Sequence, residues 1–146
     1  MKFELWLIGK DESYIAEGLR VFSGRIQRYI SFQVKYYDAK KNSSVTATML
    51  GSLEDKDYLV LLDERGKEFS SEKFAGLIGS LLNSGKKKAV FVIGGAYGFD
   101  DALRQRANSM VSLSKMTFSH QVVRLLFLEQ LYRAFTIMKN EPYHHA

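Results

Sequence analysis

Strand-length apolar runs alternate with helix-period segments along the whole chain, and this alternation restricts the fold more than any other feature. Phe3–Ile8, Tyr58–Leu62 and Ala89–Ile93 are short, largely apolar runs of the buried-strand type. Asp11–Tyr29 places Ile15, Leu19, Phe22 and Ile26 at helical spacing. A further helix carries Phe74, Leu77, Ile78, Leu81 and Leu82, capped by Ser70 or Ser71 and ended at Gly85. Phe32, Val34 and Tyr36 alternate as in a strand, and Lys40–Ser44 reads as a polar loop before a short helix, Val45–Leu53. Asp100–Ala107 reads as a short helix, Met110–Leu113 as a last strand, and Ser119–Lys139 as the longest helix. The expected fold is α/β, a largely parallel sheet flanked by helices, in one domain over residues 1–146.

Composition narrows the function classes. The 146 residues include no cysteine, which excludes disulfides and thiolate metal sites and suits a reducing compartment. Met1–Gly9 carries Lys2 and Glu4 and does not read as a secretory signal, and no apolar run is long enough for a bilayer, so a cytoplasmic location is expected. A net charge of +5 suits a polyanionic partner such as RNA without specifying one.

Five constellations carry candidate chemistry. Gly94, Gly95, Ala96, Tyr97 and Gly98 follow a strand, where ligands sit in open α/β sheets; they suit either close backbone approach to a ligand or a tight turn. Neither the G-x-G-x-x-G nor the P-loop spacing is present. Ser112–His120, SLSKMTFSH, offers hydroxyls with Leu113, Met116 and Phe118 to flank a ring; taken alone it reads as a polar loop with Ser119 as helix cap. Asp63–Lys67 reads as a solvated turn that would line an entrance only if a site lay beside it. The last helix is apolar on more than one face, which suits core on one side and a subunit interface on the other. Arg124, Glu129 and Arg133 lie among its apolar residues, with Glu129 and Arg133 spaced to pair, as a structural ion pair or as site charges. Pro142–His145 closes the chain with two histidines, a poor metal site; a Tyr–His pair suits stacking on a base.

In this order the pieces resemble the RlmH family of SPOUT, or α/β-knot, methyltransferases. The resemblance spans the chain and is carried by LDERGK at Leu62–Lys67, FVIGGAYGF at Phe91–Phe99 and the long stretch Ser112–His145. It implies S-adenosylmethionine as cofactor, with a pocket at Leu62, Gly94, Leu113, Ser114, Lys115, Met116, Thr117 and Phe118. It implies a trefoil knot formed by the C-terminal segment, a homodimer packed through the last helix, and no metal or membrane. The implied substrate is a pseudouridine (the 1915 type) in large-subunit rRNA of the assembled ribosome, methylated at N3. Ser119 stands where many members have proline, and Ala146 where many have a charged residue.

An N3 imide must lose its proton to attack a methyl carbon, so a base or an anion stabiliser is expected. The candidates are His120, Glu129, Tyr143 and His144, with Arg133 and Arg124 to hold phosphate or to orient Glu129. Lys86–Lys88, Arg25 and Arg28 read as solvated faces, or as phosphate contacts offered by a partner subunit. Three alternatives stand beside this reading: a SPOUT enzyme with another nucleotide target, a catalytically silent ribosome-binding or assembly factor, and, more distant for lack of the fingerprint, a dinucleotide-binding oxidoreductase.

Overall fold

The apolar runs form the centre of a five-stranded parallel sheet in a computed structural model. Residues 1–38, 42–95 and 98–145 are described, without the side chains of 42–44. The order along the chain is β1 (Lys2–Ile8), α1 (Ser13–Ile26), β2 (Ser31–Tyr37), α2 (Asn42–Ser52), β3 (Tyr58–Glu68), α3 (Ser71–Leu82), β4 (Lys88–Ile93), α4 (Asp101–Arg106), β5 (Ser109–Ser112) and α5 (His120–Met138). Across the sheet the order is β2-β1-β4-β3-β5, and every pairing is parallel.

Parallel strands covered on both faces need apolar side chains at every position, which is why the central runs do not alternate. Phe3, Leu5, Leu7, Val60, Leu62, Phe91 and Ile93 point to the face covered by α1, α3 and α5. Trp6, Leu59, Leu61, Val90 and Val92 point to the other, where Val45 and Met49 of α2 and Leu103 of α4 cover them. One polar residue interrupts the run: Glu4 is buried beneath Trp6 Nε1, which donates to it at 2.8 Å, with Lys2 at 3.2 Å. Burial pushes the Glu4 carboxyl up, but these bonds and the Lys35 charge outweigh burial and hold it below its ordinary value.

α5 packs between α1 and α3. Phe127 meets Phe91 of the sheet and Phe74 of α3, and Tyr132 meets Phe22 of α1. Three helices begin at side-chain caps: Ser70 and Ser119, both offered by the sequence, and Asp100, each accepting a backbone N–H from three residues further along. Ser119 thus starts α5 without needing proline.

Three expectations are corrected. The helix expected from Val45 begins at Asn42, inside the stretch read as a polar loop. α3 ends at Leu82 with Asn83 as its cap, and Gly85 lies in the following turn at φ +78°. The charged run Asp63–Lys67 is not a free turn but continues β3, because it stays against β5: Val111 faces both Leu62 and Lys67, and the intervening residues bulge outward. The start of the expected polar loop, Lys40 and Lys41, lies outside the described residues, as do Ala39, Ala96 and Tyr97 of the glycine-rich turn, and Ala146.

Gly66 allows this slip. A Cβ there would sit 2.6–2.7 Å from the Met110 carbonyl and the Val111 nitrogen, closer than a side chain is tolerated. Gly66→Ala is therefore expected to lower stability by about 1–3 kcal/mol in urea unfolding, as overpacking does. Gly76→Ala, on an open face of α3 with nothing within 4 Å, is expected to raise it by about 1 kcal/mol. Equal effects at the two sites would contradict the packing assigned to Gly66.

Candidate active site

Parallel strands present their carboxyl ends on one edge, and there the ends of β4 and β5 meet the bulge of β3 in a single cleft. The bulge within β3 (Leu62–Arg65), the residues Ile93–Gly95, Gly98 and Phe99 at and beyond the end of β4, and the segment leaving β5 (within Val111–His120) enclose about 540 Å³. That volume lies within the range of sites for small organic ligands, roughly 300–1,000 Å³. Leu62, Ile93, Val111, Leu113 and Val123 give it an apolar wall; Asp63, Arg104, Ser112 and His120 give it polar points.

Each segment is held in place. After β4 the backbone folds back, with Gly98 N donating to Gly95 O at 3.1 Å, and Gly98 takes φ +72°, a conformation that suits glycine. In the segment after β5, Ser112 Oγ donates to Ser114 O at 2.9 Å and Met116 N donates to Ser114 Oγ at 3.0 Å. Thr117 Oγ1 donates to Glu64 at 3.1 Å, tying this segment to the bulge of β3. The start of α5 is clamped from the other side. Gln121 bridges Glu12 N and Lys10 O, and the buried Arg124 donates to Asp11 Oδ1 at 2.8 Å and Ile8 O at 2.7 Å. Asp11 also accepts from Tyr36, whose phenol is pushed up to about 12 by burial and that carboxylate.

The residues proposed from sequence divide into two groups. Leu62, Gly94, Leu113, Ser114, Met116, Thr117, Phe118 and His120 line the cleft together. Lys115 is exposed on the outside of its loop, 3.8 Å from Glu68. Glu129, Arg133, Tyr143 and His144 come together elsewhere, between the C-terminal half of α5 and the segment that follows it. Glu129 lies nine residues beyond His120, about 14 Å along the axis at 1.5 Å per residue.

That second group is a closed network. Arg133 pairs with Glu129 at 2.6 Å, and Tyr143 Oη donates to Glu129 at 2.7 Å. Burial pushes the Glu129 carboxyl up, but the bonds from Arg133 and Tyr143 prevail and hold it below its ordinary 4.5. Burial and the Glu129 carboxylate both raise the Tyr143 phenol. His144 lies between Arg133, 3.0 Å from Nδ1, and Glu72, 2.8 Å from Nε2. Arginine can only donate, so Nδ1 accepts and Nε2 carries the proton toward Glu72. Glu129 is thus a stabilised anion rather than a strong base.

Arg124 is corrected in role. It neither orients Glu129 nor faces a phosphate; it is 1% exposed and engaged with Asp11. Arg25 lies over the rings of Phe22 and Tyr132. Lys86 and Lys88 sit at the amino end of β4, away from the cleft, with Lys88 paired to Asp57 at 3.4 Å. Sequence reasoning missed Arg104 and Val123 as cleft residues, and left Asp63 in a solvated turn. The one available signal was their position beside strand ends. Among the described residues, no three His, Asp or Glu side chains are grouped to hold a metal ion.

Comparison with known proteins gives this geometry its class. A family model described as predicted SPOUT methyltransferase matches residues 1–144. Ribosomal RNA large subunit methyltransferase H of Christiangramia forsetii is 48% identical over 156 aligned positions, covering 99% of both chains. The protein of that name from Cytophaga hutchinsonii is 45% identical, covering 99% of this chain and 100% of its own. A probable methylase family protein from Haemophilus influenzae superposes at TM-score 0.57 over 99% of this chain and 70% of its own; at 12% identity it shows the fold alone. The chain belongs to the SPOUT methyltransferases and, within them, to the RlmH family. Its parallel sheet flanked by helices is consistent with the knotted SPOUT fold.

Glu129 has a folded-state pKa below its unfolded one. Its contribution to stability is therefore complete above pH 4.5 and is lost as pH falls through the lowered value. Glu129→Gln is expected to flatten the acid limb of a stability-against-pH curve below about pH 4.5. Parallel curves for variant and parent in urea titrations would contradict the network.

Proposed function

We propose that this chain is an S-adenosylmethionine-dependent methyltransferase of large-subunit rRNA, acting as a homodimer on N3 of a pseudouridine in the assembled ribosome. Membership of the RlmH family supports the reaction class, and the names of the curated relatives support the substrate. The observation that carries the reading is the cleft, where Leu62, Gly94, Leu113, Ser114 and Met116–Phe118 converge from β3, β4 and β5.

The cleft suits the donor chemically. Leu62, Ile93, Leu113 and Val123 offer apolar surface to an adenine ring, and the backbone at Gly94 can approach it closely. S-adenosylmethionine, when bound, supplies a methyl group made electrophilic by its sulfonium. The protein's task is then alignment, which contributes about 7–11 kcal/mol in well-oriented systems, and removal of the N3 proton.

Of the four candidate bases, His120 is the one on the cleft wall, fixed at the first position of α5 by the Ser119 cap and the Gln121–Arg124 clamp. Glu129, Arg133, Tyr143 and His144 do not reach a methyl group held in their own chain's cleft. We assign them to binding the RNA, and in the dimer they serve a cleft only from the other subunit. Met116, Phe118 and Leu126 are 73%, 40% and 36% exposed, and with the outer face of α5 they form the apolar surface such a dimer would cover. Among the described residues, no helix is long and apolar enough to cross a membrane.

Labelled S-adenosylmethionine incubated with ribosomes from cells lacking this protein tests the reading. The expected result is one methyl on a large-subunit pseudouridine, located by mass spectrometry. Methyl on another nucleotide would replace the substrate, and ribosome binding without transfer would leave a silent binding factor. In single-turnover assays His120→Ala is expected to slow transfer by about 10²–10⁴-fold, with S-adenosylhomocysteine affinity preserved. Full rate in that variant would remove His120 as the base.

A further inference from the structure

An ion pair in the cleft wall is not explained by the fold or by the residues assigned above. Asp63, at the end of the apolar part of β3, lies 2.8 Å from Arg104 of α4. The side chains are 10% and 17% exposed, so the pair is largely withdrawn from water while still lining the cleft. Such pairs recover little of their desolvation cost as stability, and an apolar pair would hold α4 to β3 equally well.

Both charges are fixed by the backbone. Asp63 Oδ1 accepts from Arg65 N at 2.9 Å, and Arg104 Nε donates to Phe99 O at 3.3 Å. A carboxylate and a guanidinium are therefore held side by side in the lining of the cleft. A polyanion would be a poor occupant, because Asp63 and Glu64 repel it as Arg104 attracts it. A zwitterion with ammonium and carboxylate on one carbon is complementary to both.

We propose that Asp63 and Arg104 receive the α-amino acid end of the methyl donor, Asp63 taking the ammonium and Arg104 the carboxylate. The inference rests on reading the cleft as the donor site. It gives the pair a positioning role: anchoring the amino acid end fixes where the sulfur, and hence the methyl, lies relative to His120. Arg65, which also lines the cleft, is 74% exposed and 4.0 Å from Asp63, so its charge is the more solvated one.

Calorimetric titration of the full-length protein separates this role from a structural one. Four ligands share the adenosine thioether: S-adenosylhomocysteine, its decarboxylated analogue, its deaminated analogue, and 5′-methylthioadenosine, which lacks the amino acid end. The parent is expected to bind S-adenosylhomocysteine at least about tenfold more tightly than the decarboxylated analogue, as for loss of a charge-assisted hydrogen bond. Arg104→Gln is expected to erase that preference and leave 5′-methylthioadenosine affinity unchanged. Asp63→Asn is expected to erase the preference for a ligand that keeps its ammonium over a deaminated one. Equal weakening of all ligands by Arg104→Gln would make the pair structural and overturn the proposal. Should that variant not fold, the parent decides alone: equal affinity with and without the carboxylate overturns it. Absence of binding by every adenosine thioether would instead remove the donor reading, and the proposal with it.

Discussion

The slipped contact between β3 and β5 is the constraint on which the rest of the site depends. β5 has only four residues, yet it pairs with β3 on both sides of a bulge, with Val111 opposite Leu62 and again opposite Lys67. Gly66 lies against the β5 backbone where a larger residue has no room. The slip holds the charged part of β3 beside the segment after β5. Asp63 and Glu64 thereby face the cleft, with Thr117 joined to Glu64 across it. Without it, Asp63–Lys67 would be a solvated turn and the cleft would lack one wall.

α5 links this edge to the remainder of the molecule. Its first turns are fastened to the β1–α1 connection by Gln121 and by Arg124, a buried charge paired with Asp11 through one terminal nitrogen and bonded to the Ile8 carbonyl through the other, while its Nε has no partner among the described residues. Its middle is core, with Phe127, Leu128 and Leu131 buried. Its end carries the Glu129–Arg133–Tyr143–His144 network, which folds the C-terminal segment back onto the helix. The two ends are fixed relative to each other by a helix without internal glycine or proline, so the cleft and the network have a set separation.

The strands, helices and caps were legible because they depend on local pattern. Continuous apolar runs announce doubly covered strands, and Ser70, Asp100 and Ser119 announce helix starts. The extension of β3 was not legible, because charged residues in a strand are explained only by pairing with β5, which lies far along the chain. The Asp63–Arg104 pair was hidden for the same reason: each residue alone reads as a surface charge. Arg124 was visible as a buried charge in need of a partner, but Glu129, the neighbour in sequence, drew attention from Asp11, the neighbour in space. The family resemblance supplied the grouping of Leu62, Gly94 and Leu113–Phe118, which periodicity leaves as three unrelated loops.

The central claim is that the three strand-end segments form one binding site for the methyl donor. Amide chemical shifts of the isotope-labelled protein, followed as S-adenosylhomocysteine is added, test it most directly. The account predicts perturbations grouped at Leu62–Asp63, Gly94–Gly95, Leu113–Phe118 and His120, saturating with one affinity. Perturbations confined to the neighbouring apolar hollow at Phe69, Phe74 and Leu126, or no saturable change at all, would contradict it.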